Sequence, residues 1–145
     1  MSNLSFSTGF RNALLDGTDV TTMFDGGTLE IFAGTIPANA DAAEGVSAIA
    51  VCDLPVSNAF AASASAGSIA KSGTWEETSA AGGTAAWFRL KASGATTGAS
   101  TTEIRVDGDC TIAAGGGDLI LSSLTIAASD TVTIDTFTLS IPLSA

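Results

Sequence analysis

Hydrophobic residues alternate with polar ones along most of the chain, which is the pattern of half-buried β-strands. The clearest example runs from Thr84 to Ala92, where successive side chains point to opposite faces. One face carries Ala86, Phe88 and Leu90, and the other carries Trp87, Arg89 and Lys91. Further strands are predicted at Leu29 and Ile31, over Val46–Leu54, near Phe60–Ala64, over Ser68–Glu76 and Glu103–Val106, and at Leu119–Leu121.

A helix is predicted over residues 6–15, where the apolar spacing changes from two to between three and four. The positions that recur at this spacing are Phe6, Phe10, Ala13 and Leu14. Ser5 or Ser7 is expected to cap its start and Gly17 to follow its end. Gly9 is an unfavourable residue inside a helix, so it weakens the pattern.

The last strand pattern changes parity partway along. Val132 and Ile134 share one face, whereas Phe137, Leu139 and Ile141 share the other. A shift of one residue reverses every side chain, so a β-bulge is predicted near Asp135–Thr136. A turn is predicted at Asp107–Gly108.

These elements predict a mainly β fold, an antiparallel β-sandwich or jelly-roll-like domain with a short N-terminal helix or arm. Residues 1–27 form the predicted arm, helix and connector, and residues 28–145 form a single β-sandwich domain. A chain of 145 residues is long enough to bury a core without disulfides or metals.

Composition narrows the possible partners. The 15 acidic and 5 basic side chains give a net charge of −10, which disfavours binding to nucleic acid or to an anionic membrane. The acidic surface serves solubility or attracts a basic partner surface, and the sequence leaves both interpretations open. The N-terminus has no secretory pattern, so synthesis in the cytoplasm is expected.

The chain contains few of the residues that usually act in catalysis or bind metals. The chain has no histidine and no tyrosine, which removes the commonest general bases and metal ligands. Glu76, Glu77 and Glu103 are candidates for a carboxylate pair, but the preferred interpretation is that they lie on solvated strand faces. No catalytic residue, cofactor or metal site is therefore predicted. Asp107 and Asp109 are interpreted as turn residues and not as part of a calcium loop.

Two cysteines, Cys52 and Cys110, each lie in an apolar stretch. They are predicted to be buried thiols, and the sequence does not decide whether they form a disulfide.

The face with Trp87, Arg89 and Lys91 is a candidate partner-binding surface, together with Trp75. Tryptophan and arginine are enriched at interface hot spots. The alternative is a second core layer in which the Arg and Lys stems cover Trp87. The pattern alone does not choose between them.

Three segments resemble small structural proteins of tailed bacteriophages. They are Gly-Gly-Thr-Leu-Glu-Ile-Phe-Ala-Gly-Thr-Ile-Pro (from Gly26), Gly-Thr-Ala-Ala-Trp-Phe-Arg-Leu (from Gly83) and Gly-Asp-Leu-Ile-Leu-Ser-Ser-Leu-Thr-Ile (from Gly117). The resemblance implies a head decoration (cement) protein, located on the outer capsid surface of the virion and bound to the major capsid protein. It also allows homo-oligomers such as trimers.

Under this hypothesis, residues 2–24 and the Trp87 face contact the partner. The residues expected to do so are Phe6, Phe10, Arg11, Met23, Phe24, Trp75, Trp87, Arg89 and Lys91. Deletion of residues 2–15 is expected to abolish capsid binding and leave a folded domain. The alternatives are a tail, fibre or connector protein, or a carbohydrate-binding adhesin that uses Trp75 and Trp87.

Overall fold

A computed structural model describes residues 4–77, 80–113, 115 and 117–141. The described residues form a mainly antiparallel β structure with a short helix near the N-terminus, as predicted. The helices are α1 (Thr8–Leu15) and α2 (Val20–Met23). The strands are β1 (Ser5–Phe6), β2 (Thr28–Phe32), β3 (Ala50–Asp53), β4 (Ser68–Ala70), β5 (Glu76–Glu77), β6 (Gly83–Thr84), β7 (Trp87–Lys91), β8 (Arg105–Thr111), β9 (Leu119–Ile120), β10 (Thr125–Ile126), β11 (Val132–Thr133) and β12 (Thr138–Ser140).

The largest sheet has the strand order β1-β8-β7-β2-β3-β5-β11, and β9 adds to it in parallel with β8. Its centre is the antiparallel trio β2, β7 and β8, where five-residue pairings join each neighbour. Two small ribbons, β6 with β10 and β4 with β12, lie outside this sheet. The β2–β7–β8 trio sets the positions of the charged side chains described below.

One face of the large sheet packs into the hydrophobic core. Leu29, Ile31, Phe88, Leu90 and Val106 are fully buried there. A chain of aromatic rings crosses this core, with consecutive centroids 5.3 to 6.1 Å apart. Its members, in spatial order, are Phe10, Phe24, Phe60, Trp75, Phe137 and Phe88. Side chains from the two ribbons join the same core, so the ribbons are packed against the sheet.

The N-terminal segment belongs to this core. Helix α1 begins at Thr8, two residues later than predicted, because Ser5 and Phe6 form β1. Ser7, one of the two predicted caps, accepts a hydrogen bond from the Phe10 amide through its hydroxyl. Phe10, Met23 and Phe24 are buried among the core residues of the strands. Deleting residues 2–15 would remove Phe10 from the core, so we now expect the deletion to destabilise the domain as well as to affect capsid binding.

The bulge predicted near Asp135–Thr136 is replaced by a change of sheet. β11 pairs with β5 in the large sheet, whereas β12 pairs with β4 in a ribbon. The backbone between them turns enough to bury Ile134 and Phe137 despite their opposite parity. The change of parity therefore reflects the passage of the chain from one sheet to another.

Three further strand predictions differ from the structure. β8 runs without interruption through Asp107 and Gly108, so the predicted turn there is wrong. No strand forms at residues 60–64, where one isolated bridge joins Phe60 to Lys71. The alternation over Val46–Leu54 predicts Ile49 and Val51 on one face, but in β3 Ala50 and Cys52 are the buried residues and Val51 is only partly buried.

The cysteines are buried free thiols, and burial raises the pKa of each to about 12. Cys52 lies on β3 and Cys110 on β8, with β2 and β7 between them. Neighbouring strands are about 4.8 Å apart, so the two residues are about 14 Å apart across the sheet. That separation rules out a disulfide, which the sequence had left open.

Candidate functional site

The face of β7 that carries Trp87, Arg89 and Lys91 is buried. The three residues are 1%, 0% and 4% exposed. Arg89 and Lys91 bond to a long connection that we call cover segment 1 (residues 33–48), and Trp87 stacks on Phe32 with ring centroids 4.1 Å apart. Arg105, on the neighbouring strand, bonds to a second connection that we call cover segment 2 (residues 92–104). The expected exposed surface is therefore wrong, and the second core layer is what the structure contains.

Arg89 and Asp107 form the central ion pair of this layer. They are direct partners on β7 and β8. Arg89 Nε donates to Asp107 Oδ1 at 2.7 Å and Nη2 donates to Oδ2 at 2.8 Å. This two-pronged geometry is the strongest that an arginine makes with a carboxylate. Burial raises the pKa of Asp107, and the guanidinium of Arg89 opposes that rise.

Lys91 lies between two carboxylates. Its Nζ is 2.8 Å from Glu30 Oε1 on β2 and 2.9 Å from Glu44 Oε1 on cover segment 1. Burial raises the pKa of Glu30, while the ammonium group of Lys91 acts in the opposite direction. A single cation thus compensates two carboxylates that are largely removed from water.

Arg105 completes the layer beside Lys91 on the neighbouring strand. It is fully buried, pairs with Glu103, and donates to the Thr96 carbonyl at 2.8 Å. Its Nε and Nη1 are buried without a hydrogen-bond partner among the described residues. The guanidinium group of Arg105 therefore makes hydrogen bonds through fewer of its nitrogens than that of Arg89 does.

Each of the three buried cations joins the sheet to a cover segment. Arg89 Nη1 donates to the Ala42 carbonyl, Lys91 binds Glu44, and Arg105 reaches Thr96. The cover segments also bond to each other through the Glu44 amide and the Thr97 carbonyl. The ions therefore hold the covers in place, and the layer has a structural role.

Burial of these cations leaves a strongly acidic exterior. The three cations bind four carboxylates, those of Glu30, Glu44, Glu103 and Asp107. Of the 15 acidic and 5 basic side chains, eleven acidic and two basic ones then remain outside the layer. The two basic residues are Arg11 and Lys71.

The other predicted contact residues are mostly inside the molecule. Phe10, Met23, Phe24 and Trp75 are core residues. Phe6 is partly buried and stacks on Phe10 with ring centroids 5.0 Å apart. Arg11 is the exposed member of the predicted set, and it donates to the Thr8 hydroxyl. The structure does not bring these nine residues together on one surface.

The candidate carboxylates do not form a catalytic pair. Glu76 and Glu77 are neighbours on β5, so their side chains point to opposite faces. Glu103 precedes β8, and strands β3, β2 and β7 separate it from them. Within the described residues, no group of three His, Cys, Asp or Glu side chains is arranged to hold a metal ion.

Sequence reasoning missed Asp107, Glu30, Glu44 and Arg105. A signal was present for two of them, because Arg105 and Asp107 alternate with Val106 and Gly108 in strand fashion. The Asp-Gly-Asp sequence favours a turn and obscured that alternation. Glu44 lies in a long connection, and nothing in its local sequence indicates burial.

Acid is expected to weaken the attachments of both cover segments. Burial acts to raise the pKa of Asp41, but hydrogen bonds from the Thr8 amide and hydroxyl hold it below its ordinary value. The same holds for Glu103. Burial acts to raise its pKa, but hydrogen bonds from Thr96 and Arg105 outweigh burial and lower it. A lowered pKa stabilises the fold at neutral pH, and this contribution is lost as pH falls through the folded-state value.

Urea unfolding at pH 7 and at about pH 3.5 measures this effect. We expect Asp41→Asn to lose less stability on acidification than wild type, because the titrating group is gone. Asp19→Asn is the control, since Asp19 is exposed and its side chain makes no capping bond. An equally steep acid loss in Asp41→Asn and wild type would contradict the assignment.

Comparison of the chain with protein-family models finds no match, and comparison with curated proteins and with solved structures finds none either. Among the described residues, no helix has the length and apolar character needed to span a membrane.

Proposed function

We propose that this protein is a virion structural protein of a tailed bacteriophage, a capsid decoration (cement) protein that binds the outer surface of the major capsid protein. The resemblance of three segments to phage structural proteins suggests this role. Such a protein stabilises the capsid by binding the assembled lattice in preference to free subunits, which is a mass-action effect that requires contact and no chemistry.

The segregation of charge carries the proposal. Three cations lie in the interior, and eleven carboxylates against two cations remain outside the ionic layer. Opposite charge across an interface speeds association and excludes like-charged partners. The partner surface that fits this exterior is basic, so the bound capsid surface is expected to present lysine and arginine side chains.

The burial of both tryptophans weighs against the adhesin alternative. Trp75 is fully buried and Trp87 is 1% exposed. An aromatic platform for a sugar ring must be accessible to the ring, and these side chains are not. A carbohydrate-binding role would have to use other residues.

The architecture that we infer is sandwich-like, with the large sheet as one layer. In this interpretation the ribbons β4–β12 and β6–β10, together with α1, form the second layer, which is consistent with their contribution of side chains to the same core. This arrangement leaves the ionic layer and its cover segments on the outer side of the large sheet.

Co-sedimentation with phage heads that lack the decoration protein tests the function. We expect stoichiometric binding to heads, weakened about tenfold when salt rises from about 0.05 to 0.5 M, because screening acts on charge attraction between surfaces. The same assay with isolated tails is run in parallel. Absence from the head fraction would refute the proposal, and binding to tails alone would favour the tail or connector alternative.

A further inference from the structure

An apolar groove lies between α2 and the β4–β12 ribbon. It has a volume of about 170 Å³ and contains five apolar side chains at its surface. These are Val20, Ala64, Ile69, Leu139 and Ile141. A second hollow of about 350 Å³ adjoins it and shares Val20, Ala64 and Ile69. We call the combined feature the Val20 groove.

The groove has an apolar floor, and one carboxylate, that of the exposed Asp19, lies at its edge. Leu14 and Asp19 line the second hollow. Ile141 is 49% exposed, and Leu15, next to Leu14 on α1, is 86% exposed. Among the described residues that line the two hollows, none is a lysine or an arginine. A ligand that fills this groove would therefore meet apolar contacts at the centre and negative charge at the edge.

The negative charge at the edge of the groove favours a basic partner segment over a second copy of this chain. A second copy of the chain would bring another strongly acidic surface to the rim, and like charges across an interface are unfavourable. A segment with an apolar side chain flanked by lysine or arginine complements both the floor and the rim. Apolar centres with charged rims are also the usual arrangement of protein interfaces.

We propose that the Val20 groove is the docking site for an apolar segment of the partner protein that is flanked by basic residues. The inference rests on the proposed function, in which that partner is the major capsid protein. It assigns the contact to α2 and the β4–β12 ribbon, and so moves it away from the buried Trp87 face.

The test compares two isoleucines of similar exposure, 49% for Ile141 and 47% for Ile112. Ile141→Ser removes an apolar side chain from the groove, and Ile112→Ser removes one that is 47% exposed and lies outside both hollows. We expect Ile141→Ser to bind decoration-free heads about tenfold more weakly than wild type, a typical hot-spot effect. Ile112→Ser should bind as wild type does.

A second pair tests the rim. Asp19→Asn should slow association with heads by about twofold to threefold, because rim charges act mainly on the association rate. Asp135→Asn, an exposed carboxylate outside the two hollows, should leave the rate unchanged. A slower rate in Asp19→Asn alone supports a basic partner segment.

The possible results separate the two proposals. If wild type binds heads and Ile141→Ser binds equally well, the docking site is refuted and the function stands. If wild type does not bind heads, both are refuted. Unchanged head binding with a lower melting temperature for Ile141→Ser would show that the chain's own residues fill the groove. A change in oligomeric state instead would indicate a second copy, and either result overturns the proposal.

Discussion

Arg89→Met is expected to lower the free energy of unfolding by about 3–5 kcal/mol, because it leaves a buried carboxylate without its cation. Arg89 and Asp107 are both fully buried and joined by two short hydrogen bonds. The substitution keeps much of the side-chain volume but removes the charge and the bond to the Ala42 carbonyl. Urea unfolding at pH 7 measures the loss.

Two companion variants show whether charge causes the effect. Arg11→Met removes an exposed cation and should change stability by less than about 0.5 kcal/mol. Arg89→Met combined with Asp107→Leu removes both charges, and replacing a whole buried pair by apolar groups is often neutral or stabilising. Recovery in the double variant would show strong coupling between the two residues. A single-variant loss no larger than that of Arg11→Met would contradict the ion-pair assignment.

The stability of Arg89→Met relative to wild type should increase as pH falls, whereas the stabilising contribution of Asp41 decreases. In Arg89→Met, burial of Asp107 is no longer opposed by Arg89, so the pKa of Asp107 rises further above its unfolded-state value. A raised carboxyl pKa makes the fold relatively more stable as pH falls. The stability gap between wild type and Arg89→Met should therefore narrow toward acid pH. A gap that widens would indicate that Asp107 is not the group left unpaired.

Local patterns in the sequence predicted the elements that local physics determines. The alternation over Thr84–Ala92 placed Phe88 and Leu90 on the core face of β7, and the structure confirms it. The serine before α1 predicted the cap, which is Ser7. Both signals arise within a few residues of the element that they specify, so tertiary contacts were not needed to read them.

The covered face of the sheet could not be predicted in this way. Charged residues on alternate strand positions normally indicate a solvated face. Here cover segments 1 and 2 fold over that face and supply Glu44 and the Ala42 and Thr96 carbonyls. These partners are distant in sequence or lie in irregular loops, so periodicity carries no information about them. The candidate surface built on Trp87, Arg89 and Lys91 failed for this reason.

Gly9 illustrates the same limit and leads to the second large prediction. In sequence, Gly9 is simply a weak helix residue within α1. In the structure, a Cβ at this position would lie 2.4 Å from the carbonyl oxygens of both Thr102 and Glu103. Backbone atoms cannot rotate away as a flexible side chain can. Glycine is therefore required because α1 rests directly on cover segment 2.

Gly9→Ala is expected to lower the free energy of unfolding by about 1–3 kcal/mol or more, the usual range for inserting atoms into a packed site. Alanine gains at most about 1 kcal/mol in helix propensity, which is smaller than the steric cost. Gly98→Ala is the matched control on cover segment 2, because no atom of the described part of the chain lies within 4 Å of its Cβ position. It should change stability by less than about 0.5 kcal/mol. If urea unfolding shows Gly9→Ala to be as stable as wild type, helix propensity dominates and α1 does not pack against residues 102–103. A loss of stability in Gly9→Ala but not in Gly98→Ala would establish that contact as part of the fold.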